Sequence, residues 1–149
     1  MYGDTSVIRG LARSLRDQAA DIRAEADLLV GQADHTHWTG LAADAMRSRA
    51  RERAAALRRT AGLHEDAAQA LDHHADEVDR IKDLIAAIER RVRQLVDGAR
   101  DRLAGLAHHV TDGLRQVFPD PVDHLLDHFV APQHGSRDWL DVELPGLAR

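Results

Sequence analysis

Apolar residues recur at steps of three and four along most of the chain, the spacing that places them on one face of an α-helix. The first such run consists of Ile8, Leu11, Leu15, Ala19, Ile22, Ala26, Leu29 and Ala33. Asp4, Thr5 and Ser6 precede it, and residues of these types cap the starts of helices. The sequence therefore predicts a first long helix over about residues 5–33.

A second long helix is predicted to begin near Leu41. Its apolar positions are mostly small at first: Leu41, Ala42, Ala45, Met46, Ala50, Ala54, Leu57 and Ala61. The arginine-rich run 47–59 is interpreted as a solvated face. Gly62 predicts a kink or a short break, because glycine inside a helix costs about 1 kcal/mol relative to alanine.

The strongest periodic signal in the chain lies further along this helix. Near-heptad spacing connects Leu71, Ala75, Val78, Ile81, Ile85, Ile88, Val92, Leu95 and Ala99. This is the spacing of a coiled-coil seam. We predict that the seam packs in a dimer and completes a four-helix bundle.

The helical pattern weakens after residue 100, where the helix either runs on or turns back as a third helix. Phe118-Pro119 ends it, because proline cannot continue a helix. Asp120 as a cap and Pro121 at the first helical position then predict a short helix. The remaining apolar residues, from Trp139 to Leu147, are expected to dock on the chain itself or on a partner. We divide the chain into a hairpin, 1–100, and a helical extension with an apolar tail, 101–149.

The hexapeptide His35-Thr36-His37-Trp38-Thr39-Gly40 separates the two predicted long helices. We predict that Gly40 allows a sharp turn. We also expect Trp38 to fold back between the helices, because a bulky aromatic buries a large apolar area. The predicted fold is all-α: an antiparallel, coiled-coil-like hairpin of long helices with a C-terminal helical extension.

Composition and charge narrow the classes of function. Aromatic residues make up 3% of the 149 residues against 44% hydrophobic, so the seams are built mainly from small side chains and need a partner to complete a core. The net charge of -5 is interspersed and leaves no basic stripe for nucleic acid. No stretch approaches the roughly 20 apolar residues of a membrane span. Residues 1–15 lack the apolar core of a signal peptide, so any export uses a route that does not need one.

No constellation of residues points to catalysis, and we expect neither enzymatic activity nor a cofactor. His124 and His128 have the i, i+4 spacing of metal ligands on a helix, but no His-Glu-x-x-His and no cysteine accompany them. We interpret the ten histidines as surface residues, with a metal at His124 and His128 as the alternative. The Glu-x-x-His pairs of a four-helix metalloenzyme are missing from the sequence.

At Trp38-Thr39-Gly40 the chain resembles the WXG100 superfamily, the small helical-hairpin proteins of type VII (ESX-like) secretion in actinobacteria and firmicutes. The tripeptide matches the W-x-G of that family, and the small residues at 41–46 resemble the run that follows its glycine. The stretch 70–76 is similar to part of the second helix in actinobacterial members. The resemblance covers roughly residues 5–100.

This resemblance implies a type VII secretion substrate or targeting partner that acts by helix packing. Its partners would be a second copy, another WXG100-like protein or a hairpin-bearing effector, together with the secretion machinery, which would meet the motif at Trp38 and Gly40. Its location would be secreted or cell-envelope. The alternative is a cytosolic coiled-coil adaptor or chaperone-like protein that is not itself exported.

The family's export signal is an aromatic residue, three residues and an acid, just after the second helix. The chain has no tyrosine after Tyr2, and the interval from His73 to Glu77 lacks the aromatic. Trp139 and Glu143 have the right spacing but lie far downstream. We regard Trp139 either as a docking anchor or, with Glu143, as an export element.

Overall fold

The described part of the chain, residues 4–111 and 120–147 of a computed structural model, is helical and contains no strand. Helix α1 spans Thr5–His35, α2 spans Leu41–Thr111 and α3 spans Pro121–Asp127; a 3-10 helix follows at Arg137–Asp141. α1 and α2 pack against each other in antiparallel directions. The prediction of an all-α hairpin with a helical extension is confirmed, whereas Phe118-Pro119 lies outside the described residues.

Helix α1 begins where the cap residues predicted it. The Asp4 carboxylate accepts a hydrogen bond from the Ser6 backbone N–H at 2.9 Å, which satisfies one of the free N–H groups of the first turn. The helix ends two residues later than predicted, and the chain becomes extended at Thr36.

Helix α2 continues through Gly62 without a break, so the prediction of a short break there is wrong. The cost of one glycine is small against the packing of the fully buried Ala61 and Ala68 on either side. The alternatives left open after residue 100 are also resolved, because the helix runs on to Thr111 rather than turning back.

Two compact units divide the described chain between Val78 and Asp79. The first, Asp4–Val78, is the hairpin unit of α1 and the first part of α2. The second, from Asp79 onward, is the C-terminal unit, in which α3 and the 3-10 helix accompany the rest of α2. The division into a hairpin, 1–100, and an extension, 101–149, stays a prediction.

Small side chains at seven-residue intervals form the seam of the hairpin unit. α1 buries Thr5, Ala12, Ala19, Ala26 and Ala33, and α2 buries Ala54, Ala61, Ala68 and Ala75. A strict repeat of seven is the signature of a coiled coil. Because alanine is small, the two helices can approach closely along this line.

The structure corrects one position of the predicted stripe on α1. Leu11 is 55% exposed, and its neighbour Ala12 is fully buried. Both positions are one helical turn from Ile8, so periodicity alone allows either, and the larger residue was the wrong choice. The predicted residues Ile8, Leu15, Ile22 and Leu29 are half-buried beside the alanine line.

Among the described side chains, five ion pairs between α1 and α2 stand out, and their polarity reverses part-way along the hairpin. In the first three, α1 supplies the arginine: Arg9–Asp76, Arg16–Asp72 and Arg23–Glu65. In the other two, α1 supplies the acid: Asp27–Arg58 and Asp34–Arg51. The N–O distances lie between 2.5 and 2.9 Å. Exposed pairs add little stability, but this reversal disfavours a slipped register, which would bring like charges together.

Trp139 organises the core of the C-terminal unit. It is buried together with Ile85 and Val92, and partly buried residues surround the three: Ile81, Ile88, Val96, Phe129, Leu140, Val142, Leu144 and Leu147. Its ring lies 6.5 Å from that of Phe129, in a tilted arrangement. Residues 120–147, which we call the C-terminal segment, therefore dock on α2.

The predicted start of the short helix is confirmed. Asp120 accepts a hydrogen bond from the Val122 N–H at 2.9 Å, and Pro121 is the first residue of α3. Proline suits this position, because its missing N–H would have no partner inside the helix.

Candidate interaction site

The bend between α1 and α2, residues 36–40, depends on the conformation of Gly40. Its φ of +99° lies in the region that side chains with a Cβ rarely adopt. The Gly40 carbonyl then accepts the Asp44 N–H at 3.1 Å and so starts α2. The turn predicted for this glycine is confirmed.

Trp38 does not fold back between the helices as predicted. Its side chain is 67% exposed, and that of Leu41, three residues on, is 90% exposed. The bend therefore presents two large apolar side chains to solvent. Tryptophan is among the residue types that most often anchor protein interfaces.

Arg47 holds the bend in place of Trp38. Its Nη2 donates to the backbone carbonyls of Thr36 and Trp38, each at 2.9 Å, and its Nη1 donates to Asp44 at 3.3 Å. The guanidinium thus supplies hydrogen-bond donors to two backbone carbonyls of the bend, which lies beyond the last residue of α1. The bend is therefore held through its backbone carbonyls, while the side chain of Trp38 is exposed.

A groove of about 610 Å³ adjoins the bend. Its wall is formed by Leu29, Gln32, Ala33, Thr36, Ala42, Ala45, Met46, Arg49, Ala50 and Arg53. The apolar residues among these come from both helices. An amphipathic helix is the kind of ligand that such a groove accepts.

The residues predicted as a dimer seam divide between the two units. In the hairpin unit, Leu71 is half-buried and Val78 is buried. The other five, Ile81, Ile85, Ile88, Val92 and Leu95, belong to the C-terminal unit, where the C-terminal segment of the same chain covers four of them and Leu95 is half-buried. The dimer itself stays a prediction.

Trp139 and Glu143 have different environments. Trp139 is 3% exposed, and its indole N–H donates to the Gln133 carbonyl at 3.0 Å. Glu143 is exposed. The tryptophan thus acts as the anchor of the C-terminal segment, with its polar atom satisfied as buried indoles require.

Glu89, which the sequence analysis missed, is a buried carboxylate beneath the C-terminal segment. It is 3% exposed and accepts hydrogen bonds from the Gly135 N–H at 2.6 Å and from His134 Nδ1 at 2.7 Å. Burial by itself raises the pKa of this carboxyl, but the bonds from Gly135 and His134 and the charges of His134 and Arg93 together lower it below its ordinary value. Glu89 therefore stays ionised and binds the loop at 134–135.

A second ionic contact fastens α3 to α2. Arg102 donates to both carboxylate oxygens of Asp123, at 2.6–3.2 Å, and its hydrogen bonds hold the pKa of Asp123 below its ordinary value. Arg100 donates to Asp127 at 3.1 Å, one turn further along α3. Both pairs fix the direction in which α3 crosses α2.

The histidines singled out by spacing do not form a metal site in the part of the chain that the structure describes. His128 Nδ1 bonds to the His124 backbone carbonyl at 2.8 Å. Within residues 4–106 and 120–147, no three His, Cys, Asp or Glu side chains converge as metal ligands would. In the same ranges, no helix is long and apolar enough to span a membrane.

Comparisons with protein-family models, curated proteins and solved structures give no match to this chain.

Proposed function

We propose that this protein is a WXG100-like substrate or targeting partner of type VII secretion that acts by helix packing. One observation supports the proposal above the others. The tripeptide Trp38-Thr39-Gly40 lies at the bend of an antiparallel hairpin, with the glycine at positive φ and the tryptophan exposed. A W-x-G in this place matches the position of the motif in that family.

The geometry of the bend indicates how recognition would work. Large aromatic side chains are the commonest anchors of protein interfaces, and they bind best when they are already held in position. Arg47 holds the backbone carbonyls of Thr36 and Trp38 in place. The backbone of the bend would therefore lose little conformational entropy when it binds a partner. The half-buried line of Ile8, Leu15, Ile22 and Leu29 would meet the helices of a partner in a four-helix bundle.

Export tests the proposal. Cells and culture supernatant of the source organism are immunoblotted, alongside a strain that lacks its type VII secretion ATPase. We expect the protein in the supernatant only when the ATPase is present. Protein released equally by both strains would contradict the proposal.

A pair of variants connects export with the bend. Trp38→Ala should reduce export, because it removes the anchor. Leu63→Ala is the matched control, since Leu63 is also apolar, 68% exposed and in the same unit. Equal export of the two variants would show that Trp38 has no specific role in export.

One observation favours the alternative, a cytosolic adaptor or chaperone-like protein. Trp139, the aromatic of the one Trp-x-x-x-Glu match, is buried in the C-terminal unit and is not available as a signal while the segment is docked. Under this alternative the protein remains in the cells of both strains, and its partner carries the export signal.

A further inference from the structure

A cavity of about 600 Å³ in the C-terminal unit is lined by both α2 and the docked C-terminal segment. On α2 its wall consists of Leu84, Ala87, Ile88 and Arg91. These residues are three and four positions apart and therefore share one face of the helix. Protein interiors rarely leave voids much larger than a water molecule, whereas pockets for small molecules measure about 300–1,000 Å³. The size of this cavity is thus that of a ligand site.

The wall of this cavity is almost entirely apolar. The C-terminal segment contributes Leu140, Val142 and Leu147, so that six of the seven described wall residues carry hydrocarbon side chains. Leu84 is 52% exposed although it belongs to the wall, which leaves a large aliphatic side chain open to an incoming molecule. Each methylene group that moves from water into such surroundings strengthens binding by about fourfold. A hydrocarbon chain is therefore the kind of ligand that this wall favours.

Arg91 is the one charged residue among the described residues of the wall. Its side chain is exposed and forms no ion pair with a carboxylate within residues 4–106 and 120–147. The nearby acids of the segment, Asp141 and Glu143, are exposed and do not belong to the wall. A guanidinium presents parallel N–H donors that match the two oxygens of a carboxylate. The cavity thus combines apolar walls with a cation that can accept an anionic ligand.

The basic residues beside a second, smaller cavity are already occupied. This cavity measures about 240 Å³, and Arg93, Arg100 and His134 contribute to its wall. Arg100 pairs with Asp127 at 3.1 Å. Arg93 and His134 both pair with Glu89. An anion would have to displace these carboxylates, so the larger cavity is the better site.

We propose that the larger cavity binds a free single-chain fatty carboxylate, with its hydrocarbon chain on the apolar wall and its carboxylate on the Arg91 guanidinium. The order of residues along α2 supports this ligand, because Arg91 lies about 10 Å along the helix axis from Leu84, with apolar wall residues between them. One cation matches the single charge of a carboxylate, whereas a phosphate monoester carries about -1.5 to -2. Such binding is independent of secretion and of the bend at Trp38.

The test is isothermal titration calorimetry of the full chain with dodecanoate, at concentrations where the ligand is monomeric. We expect one site per chain and, across octanoate, decanoate and dodecanoate, an affinity that rises by about fourfold per methylene. Dodecyltrimethylammonium has the same tail with a positive head and should bind more weakly than dodecanoate. Absence of saturable dodecanoate binding, or equal affinity for the two amphiphiles, would overturn the proposal.

The role of the charge is tested with Arg91→Met, which keeps an unbranched apolar side chain and removes the guanidinium. Its affinity for dodecanoate should fall by about 5- to 10-fold, whereas its affinity for uncharged dodecanol should stay that of wild type. Arg90→Met is the matched control, because Arg90 is an exposed neighbour outside the wall. Equal dodecanoate affinities of the two variants would contradict the assignment of Arg91.

The location of the hydrocarbon chain is tested by filling the cavity with Ala87→Phe. Ala104→Phe is its control, since both alanines are exposed on α2 but only Ala87 lines the cavity. We expect Ala87→Phe alone to lose dodecanoate binding, with wild-type helicity by circular dichroism in both variants. Equal binding by the two would overturn the proposed site.

Sedimentation with phosphatidylglycerol vesicles separates a free fatty carboxylate from a membrane surface. We expect the chain to bind monomeric dodecanoate in the absence of vesicles. A chain that sediments with the vesicles but binds no monomeric dodecanoate would overturn the proposal in favour of a membrane surface. None of these results bears on export, which the immunoblot tests separately.

Discussion

The hairpin unit and the C-terminal unit are both built on α2, but different side chains hold them together. The hairpin unit buries alanines at seven-residue intervals and places its ion pairs in solvent. The C-terminal unit buries a tryptophan and a carboxylate, and encloses Glu89 within hydrogen bonds. Many small side chains thus contribute to the packing of the hairpin unit, whereas a few residues hold the C-terminal unit together.

This difference also separates the two tryptophans. Trp38 is exposed at the bend, where hydrogen bonds from Arg47 to backbone carbonyls hold the chain. Trp139 is buried in the core of the C-terminal unit of its own chain. In a protein with 3% aromatic residues, one tryptophan is thus exposed and the other is buried.

The largest effect is expected from Trp139→Ala. Removing a buried tryptophan costs about 3–5 kcal/mol, which is enough to undock the C-terminal segment. Hydrogen exchange of the backbone amides in 120–147 should become fast, while exchange in α1 stays slow. Unchanged protection of α3 would show that Trp139 is not the anchor. Trp38→Ala is the control and should leave both regions protected.

Glu89→Gln should have the next largest effect, because it keeps the shape and removes the charge that the loop binds. We expect a loss of about 1.5–3 kcal/mol in the docking of the segment. The variant also tests the pH dependence. The folded-state pKa of Glu89 is lowered, so its contribution is complete above the unfolded pKa and is lost as pH falls through the folded pKa.

Fluorescence of Trp139 can follow that acid transition, with Trp38 replaced by phenylalanine in both proteins. Wild-type Glu89 should give a transition below the ordinary carboxylate pKa, and the Gln variant should lack it. The same acid transition in both proteins would assign it to other carboxylates, among which Asp123 also has a lowered pKa.

Ala26→Leu should destabilise the hairpin unit. Ala26 is fully buried in the seam, and larger side chains forced into a packed interface cost about 1–3 kcal/mol. Ala20→Leu is the matched control, because Ala20 is exposed on the same helix. The midpoint of urea unfolding measures both. Equal midpoints would contradict the close alanine seam.

The smallest effect is expected from Arg51→Ala, which removes one exposed pair with Asp34. Pairs of this kind contribute at most about 1 kcal/mol. Exchanging the two residues, Asp34→Arg with Arg51→Asp, should recover what is lost. A large loss that the exchange does not recover would show that the pair does more than set the register.

The helices themselves were predictable because long periodic runs and caps carry a strong local signal. The start of α1 at Thr5, the turn at Gly40 and the start of α3 at Pro121 all follow from capping and backbone conformation. The fold class followed from the same pattern.

The errors concern which residues the tertiary contacts select. Leu11 and Ala12 satisfy the same helical periodicity, but the seam between the helices buries the smaller residue, Ala12, and leaves Leu11 exposed. The size of Trp38 favoured burial, but Arg47, eleven residues beyond Thr36, holds the bend through backbone carbonyls, which no side-chain pattern reveals. Glu89 looked like a surface charge until the loop at 134–135, far along the chain, supplied its partners.

The measurement that tests this account most directly is acrylamide quenching of tryptophan fluorescence in two single-tryptophan variants, Trp38→Phe and Trp139→Phe. We predict that Trp38, which is the single tryptophan of the Trp139→Phe variant, is quenched almost as readily as free tryptophan. Trp139, alone in the first, should be strongly protected and emit at shorter wavelength. Equal quenching of the two residues, or protection of Trp38 alone, would contradict the division between an exposed bend and a C-terminal segment anchored on its own chain.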